Sequence, residues 1–186
     1  SEDLMLFIAQ AGFETKDGAL ILTCQKAAAE IKAVFERGLD KGEITQDALF
    51  DEQYKPIPGT NPQQVATRFM DYTDRVLTAI QEQVLASSSR IAFCAAVDRN
   101  GYLPTHNLAY SKPQGSDPSW NAANSRNRRI FNDRTGLRAG RNTQPFLLQT
   151  YRRDMGGGQH ALMKDISAPI IIRGRHWGGF RMGLKP

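Results

Sequence analysis

The first half of the chain spaces its apolar residues at steps of three and four. Asp17 is a fair N-cap, and Leu20, Cys24, Ala27, Ala28, Ile31 and Phe35 then share one face, which predicts an amphipathic helix. Gly38 and Gly42 end that run. A short helical turn around residues 45–50, capped by Thr45, is expected next. Residues 54–62 (YKPIPGTNP) hold three prolines and a glycine and read as a loop. A second long helix is expected from about Pro62, because the missing proline N–H costs nothing in a first turn. Its stripe is Val65, Phe69, Tyr72, Val76, Ile80 and Val84, and residues 87–89 (SSS) break it.

At residue 91 the period becomes strand-like. Residues 91–97 (IAFCAAV) run into Asp98-Arg99-Asn100-Gly101, and Asn-Gly signals a two-residue hairpin turn. Residues 102–105 are then the returning strand, cut short by Pro104. Residues 111–142 are polar and irregular, with one or two short helices near 121–133. Strands at 145–153, 160–172 and 176–184 come next, joined by Gly156-Gly157-Gly158 and Arg173-Gly174, so they predict an antiparallel meander. Pro169 marks a bulge or an edge. The expected class is α+β, with long N-terminal helices followed by five antiparallel strands and short helices inserted after the second. The division is a helical lead-in at 1–89 and a sheet domain at 90–186, on which the lead-in packs or with which it dimerises.

Composition narrows the picture. The 186 residues are 40% hydrophobic and 23% charged, an ordinary globular balance. No apolar run approaches the roughly 18 residues that span a bilayer, and the acidic start SEDLMLF does not read as a signal peptide. Cys24 and Cys94 form no disulfide framework, which favours a reducing compartment. The net charge of +5 conceals a split: residues 1–90 carry nine Lys/Arg against fourteen Asp/Glu, and residues 91–186 carry fifteen against five. Such asymmetry draws the second half either to something anionic or to the first half.

Enzyme signatures are absent, with no G-x-S-x-G, P-loop, G-x-G-x-x-G after a strand or H-E-x-x-H, so a non-enzyme is expected. His106, His160 and His176 are scattered; Cys94 and His106 supply two zinc ligands at most, and no metal site is expected. The triple glycine leads into a strand and not a helix, so it is no phosphate loop. No helix-turn-helix or RRM pattern surrounds Tyr110, Trp120 or Phe131, and specific nucleic-acid binding is not expected.

The arginine-rich stretch is the stronger signal. Arg126, Arg128, Arg129, Arg134, Arg138 and Arg141 are interleaved with Ile130, Phe131 and Leu137. If 124–133 is helical, Arg126, Arg129 and Ile130 share a face and Arg128 points elsewhere. Arginine suits a bidentate grip on carboxylate or phosphate, and a solvated face paired to Asp133 or Asp154 is the plainer use. The hairpin at 97–107 aims Tyr102, His106 and Asn107 from a rigid element, although Asn107 could cap the next turn and His106 satisfy a buried carbonyl. Lys164 and Asp165 interrupt an apolar strand, so one faces in and the other out. Trp177 reads as core. The candidate ligand-binding set is Tyr102, His106, Asn107, Arg126, Arg129, Phe131, Arg141, Tyr151 and Lys164.

These residues carry a resemblance. VDRNGYLPTHN (97–107), NRRIFNDRTGLRAGRNTQPFLLQTYRRDMGGG (127–158), MKDISAPIIIRG (163–174) and RHWGGFRMG (175–183) resemble the PAS/Cache-like sensory domain of bacterial methyl-accepting chemotaxis proteins. The likeness is greatest to the variety attached at the receptor's C-terminal, cytoplasmic end. It covers about residues 90–184, and FDEQYKPIPGTNPQQ looks like the segment leading into that domain. No signalling coiled coil or HAMP-like linker is visible, so the chain is expected to be a sensory module or receptor fragment.

The resemblance implies a small-molecule or redox input that changes the packing of the flanking helices. A small ligand would lie on the concave face of the sheet under residues 121–142, gripped by Arg129, Arg141, Tyr102 or Lys164. The partners implied are the receptor's signalling helices and a second copy of the chain through the 62–85 helix; packing on its own sheet is the other use of that stripe. Cytoplasmic location is expected, periplasmic being the alternative. Two rival readings stand beside it: a non-covalent haem sensor with His106 as axial ligand, and a docking module whose basic face meets an acidic protein without any small ligand.

Overall fold

The structure, a computed structural model, describes residues 16–186, with Lys16 and residues 153–155 described by their backbone alone. The expectation for the opening SEDLMLF lies outside the described residues. Helix α1 (Lys16–Asp40) buries the predicted stripe, with Cys24, Ile31 and Phe35 at zero exposure. Thr45 Oγ1 accepts the Ala48 N–H and caps α2 (Gln46–Leu49), as its sequence suggests.

The second long helix is shorter than expected. Lys55–Pro56 (β1) pairs antiparallel with Val65–Ala66 (β2), and α3 runs Met70–Ala86. Pro62 follows a cis peptide bond and opens no helical turn. Val65 and Phe69 are core residues outside the helix. The reason is tertiary: the Val65 N–H donates to the Arg128 carbonyl at 2.7 Å, and Gln64 Nε2 donates to the Asn127 carbonyl. Those bonds hold this stretch extended against the helical spacing of its apolar residues.

Next come β3 (Ile91–Asp98), β4 (Tyr102–Leu103), a 3-10 turn (Leu108–Tyr110), α4 (Pro118–Asn124), β5 (Arg129–Ile130) and α5 (Arg134–Arg141). The meander closes the chain as β6 (Leu147–Gly156), β7 (Gln159–Ile172) and β8 (Arg175–Leu184). The fold is α+β, with a long N-terminal helix on an antiparallel sheet of order β3-β8-β7-β6.

The expected fifth strand leaves this sheet, since β4 pairs with β5 and not with β3. Of the turn residues only Gly101 has positive φ (+83°), whereas the Asn-Gly turn that keeps hairpin strands paired needs it at both. Asp98 Oδ1 instead accepts the N–H groups of Asn100 and Tyr102 and turns the chain away. The exposed edge of β3 is met by side chains. Asn107 Oδ1 accepts the Cys94 N–H and Gln81 Oε1 accepts the Ala96 N–H, both at 2.9 Å. With its donors satisfied, that edge needs no further strand.

No helix spans 124–133. Arg128 has φ +63° and the backbone is extended at β5, so Arg126, Arg129 and Ile130 share no helical face. The charge split is partly internal: Arg99–Glu52, Arg128–Asp74, Lys164–Asp17 and Arg173–Asp40 all join the basic second half to the acidic first. Among the described residues no helix is long and apolar enough to cross a membrane.

Candidate functional site

The sheet has two different faces. On one, Ile166, Ala168, Ile170, Phe180, Met182 and Leu184 meet α1, and Trp177 lies edge-on to Phe35 and Phe69. On the other, the chain from Leu103 to Asp133 arches over the strands and forms a partly open cavity of about 660 Å³. Ala92, Phe93, Tyr151, Met163, Arg181 and Gly183 form its floor; Leu103, His106, Tyr110, Ala123, Arg126, Phe131 and Asp133 form its walls. Gly183 is required there, because a Cβ would stand 2.1 Å from the Phe93 ring that lies across it.

Two guanidinium groups define the chemistry. Arg126 donates to the Ala122 carbonyl at 3.0 Å and lies over the Phe131 ring, 4.9 Å from its centroid. Arg181 is 8% exposed, and its Nε donates to Asp165 Oδ2 at 2.7 Å. Its remaining N–H groups have no hydrogen-bond partner among the described residues, so they are available to an occupant of the cavity. Burial, opposed by Arg181, pushes the Asp165 carboxyl up to about 6. Among the described residues its buried Oδ1 has no donor, and the buried hydroxyl of Ser167, two residues along the same strand face, has no hydrogen-bond partner.

His106 is 2% exposed. Its Nδ1 accepts the Asn107 N–H at 2.7 Å, so the neutral ring carries its proton on Nε2. Burial first, then the Arg126 and Arg181 charges, push its pKa down to about 3. The imidazole is therefore an uncharged donor at physiological pH. Phe93 and Tyr110 flank it at 5.7 and 5.0 Å between ring centroids.

Of the sequence candidates, the fold brings His106, Arg126, Phe131 and Tyr151 to the cavity. Arg129 stacks on Phe131 at 4.8 Å and donates to the Ala122 carbonyl, outside the cavity wall. Tyr102 is buried beside Phe69 and donates to the Val65 carbonyl; burial pushes its pKa up to about 12. Asn107 is the β3 edge cap described above, and its amide also donates to Glu82. Arg141 is exposed at the end of α5 and donates to the Arg99 carbonyl. Lys164 lies on the α1 face, 2.6 Å from Asp17, so it cannot grip an anion in the cavity. Asp165 is fully buried on the cavity face, and Lys164, on the opposite face, is half-buried beside Asp17.

Sequence reasoning missed Arg181, Asp133 and Phe93 and did not choose Asp165. A signal existed for the ion pair: Asp165 and Arg181 are opposite charges interrupting two apolar strands that a short turn joins. Cys94 does not approach His106 as a ligand pair, since its thiol donates to the Gln81 carbonyl on the α3 side. Among the described residues no three His, Cys, Asp or Glu side chains gather to hold a metal ion.

The chain matches no known protein family and no curated protein. Among solved structures it is similar to an extracellular ligand binding receptor from Desulfohalobium retbaense DSM5692, at 16% identity and a TM-score of 0.39. The match covers 90% of this chain and 25% of that one. The chain thus spans about a quarter of the receptor's length, and so low a likeness carries no argument for a function.

Proposed function

We propose that this chain is a ligand-sensing module that binds a small anionic molecule between the sheet and its cover. One observation carries the reading: a partly open cavity into which a buried arginine, Arg181, offers N–H groups without a partner among the described residues, beside Arg126 and a neutral histidine donor. The role is binding without catalysis. The sequence likeness to chemoreceptor sensory domains supports a role in bacterial signal transduction, in the cytoplasm, as a homodimer acting on the receptor's signalling helices.

Relay of occupancy runs through the cover. Arg128, between Arg126 and Phe131, donates both terminal nitrogens to Asp74 of α3 at 2.9 and 2.6 Å, and one of them to the Pro104 carbonyl. A non-glycine residue at positive φ is held there by its surroundings, which here are these bonds. A ligand that moves Arg126 and Phe131 therefore pulls on α3. It shifts the equilibrium only by its differential affinity for the two arrangements, typically about 1–3 kcal/mol.

Thermal unfolding against carboxylates, amino acids, purines, phosphates and metals tests the reading. Ligand at about 100 times Kd adds about 2.7 kcal/mol, or roughly 5–10 °C in the midpoint. Loss of that shift in Arg126→Ala locates the site; a flat panel sinks the reading. A Soret band on purification would point instead to haem at His106.

A docking role is favoured by a separate feature, the exposed Arg134, Arg138 and Arg141 along α5. Binding to an acidic protein that weakens with salt and survives Arg126→Ala would support it.

A further inference from the structure

The buried pair at the cavity floor is balanced before any ligand enters: Arg181 is positive and Asp165 negative, while Arg126 is half-buried and Asp133 exposed at the mouth. An anion arriving on Arg181 leaves one excess negative charge in a buried site, where uncompensated charge is strongly disfavoured. A proton must then be taken up, and the groups facing the site differ in their fitness to accept it. His106 already uses Nδ1 as an acceptor and lies between rings beside two arginines. Tyr110 donates to the Ala92 carbonyl, and Tyr151 is a phenol, neutral already. Asp133 is exposed at the mouth, where water screens it.

Asp165 is the remaining group, and its geometry is that of a proton acceptor. It is wholly buried, one oxygen is held by Arg181, and the other has no donor among the described residues. Around it β6 contributes Gln149 and β8 contributes Gly183 as neighbours in register; α5, packed over β7, has as its N-cap Asp133, whose negative charge adds to burial in raising the Asp165 carboxyl. None of these brings a second cation. Through the sheet, the described residues on the α1 face include the Cys24 thiol and the Lys164–Asp17 pair. Beyond the arginines, Phe93 and Met163 of the floor and Leu103 and Phe131 of the walls are apolar and suit the body of an organic acid.

Resting on the anion-binding reading, we propose that the cavity takes a small monocarboxylate and that seating it on Arg181 draws one proton from solvent onto Asp165. The ligand's carboxylate replaces Asp165 as the counter-charge of Arg181, and the proton occupies the carboxyl that loses that role. A dianion leaves one negative charge unmatched and binds more weakly. The domain then reports acidity and an organic acid together, affinity rising as pH falls until the ligand itself protonates.

Titration of the whole chain with acetate, benzoate and phenylacetate, against the matching amides, succinate and inorganic phosphate, tests this. The expected result is binding of a monocarboxylate and not of its amide, roughly fifteenfold tighter at pH 6.5 than at pH 8, as uptake of most of one proton requires. In Asp165→Asn, which mimics the protonated acid, the pH slope disappears and the pH 8 affinity reaches that of the unaltered protein at pH 6.5. Weaker binding by that variant at every pH overturns the proposal, since it means that Asp165 only positions Arg181. Should Asp165→Asn not fold, proton uptake by the unaltered protein on mixing with the tightest carboxylate in unbuffered solution at pH 7, read with an indicator dye, decides; no uptake overturns it. Phosphate, purines or dianions binding while monocarboxylates do not leaves the sensor reading standing and refutes this one; no binding by any compound refutes both.

Discussion

On the α1 side of the sheet, β7 and β8 present Ile166, Ala168, Ile170, Phe180, Met182 and Leu184, all within 2% of full burial. On the other side, the same two strands present Met163, Asp165, Ser167, Gly179, Arg181 and Gly183. The first face meets a helix whose stripe fits it, and each large side chain there contributes about 1.5–3 kcal/mol by leaving water. The second buries a carboxylate oxygen and a hydroxyl with no partner among the described residues and leaves space above that face. Unsatisfied buried polar groups cost about 1–3 kcal/mol each. The difference teaches where stability and function are separated: one face holds the domain together, and the other gives up stability to keep a charged hollow open.

The comparison can be broken most severely at Trp177, whose ring fits between Phe35 and Phe69 and whose indole donates to the Leu49 carbonyl at 2.8 Å. Trp177→Ala is expected to cost about 3–5 kcal/mol in urea unfolding, equally at pH 5 and pH 8. Arg181→Ala is expected to cost about 3 kcal/mol at pH 8 by stranding Asp165, and clearly less at pH 5, where that carboxyl is protonated. An equal cost at both pH values would contradict the charged-face account. Arg128→Ala, which removes the clamp on Asp74, is expected to cost about 1–2 kcal/mol and to speed hydrogen exchange in the first turns of α3. The smallest effect is expected at Arg126→Ala, under about 1 kcal/mol of stability, while any ligand-induced rise in the midpoint is lost.

Acidity sharpens the same contrast. Burial pushes Asp98 and Asp165 each up to about 6, above the ordinary carboxylate value near 3.9 in the unfolded chain. The native state therefore binds protons more tightly, and stability from these groups is full below about pH 4 and lost as pH rises through about 6. Asp17, Glu36 and Glu52 are shifted downward, so their contribution is intact above pH 5 and lost only in stronger acid. The unfolding midpoint is expected to be higher at pH 5 than at pH 7.5, and Asp165→Asn is expected to flatten the trend.

Much of the scaffold was legible in the residues. The Leu20–Phe35 stripe, the Thr45 cap and the meander joined by two glycine turns depend on local spacing, which the chain carries openly. The 62–69 stretch misled because its apolar spacing is helical while its backbone bonds go to residues more than 60 positions away. The five-strand sheet misled because Asp98, Gln81 and Asn107 decide the fate of a strand edge, and none belongs to the strand they displace.

For the site, His106, Arg126, Phe131 and Tyr151 could be nominated from residue type and position alone. Their selection over Tyr102, Asn107, Arg129, Arg141 and Lys164 could not, because side-chain direction there depends on a positive φ at Arg128 and on which sheet face α1 covers. Local order along the chain was enough for helix α1, the Thr45-capped turn, the β6–β8 meander and the charge split between the halves. Only the tertiary structure decided which cations are spent on Asp17, Glu52, Asp74 and Asp40, and that Arg181 is held beside a carboxylate at the floor of a cavity. That outcome rests on contacts between residues distant in the chain, whose strength is set by burial and not by spacing.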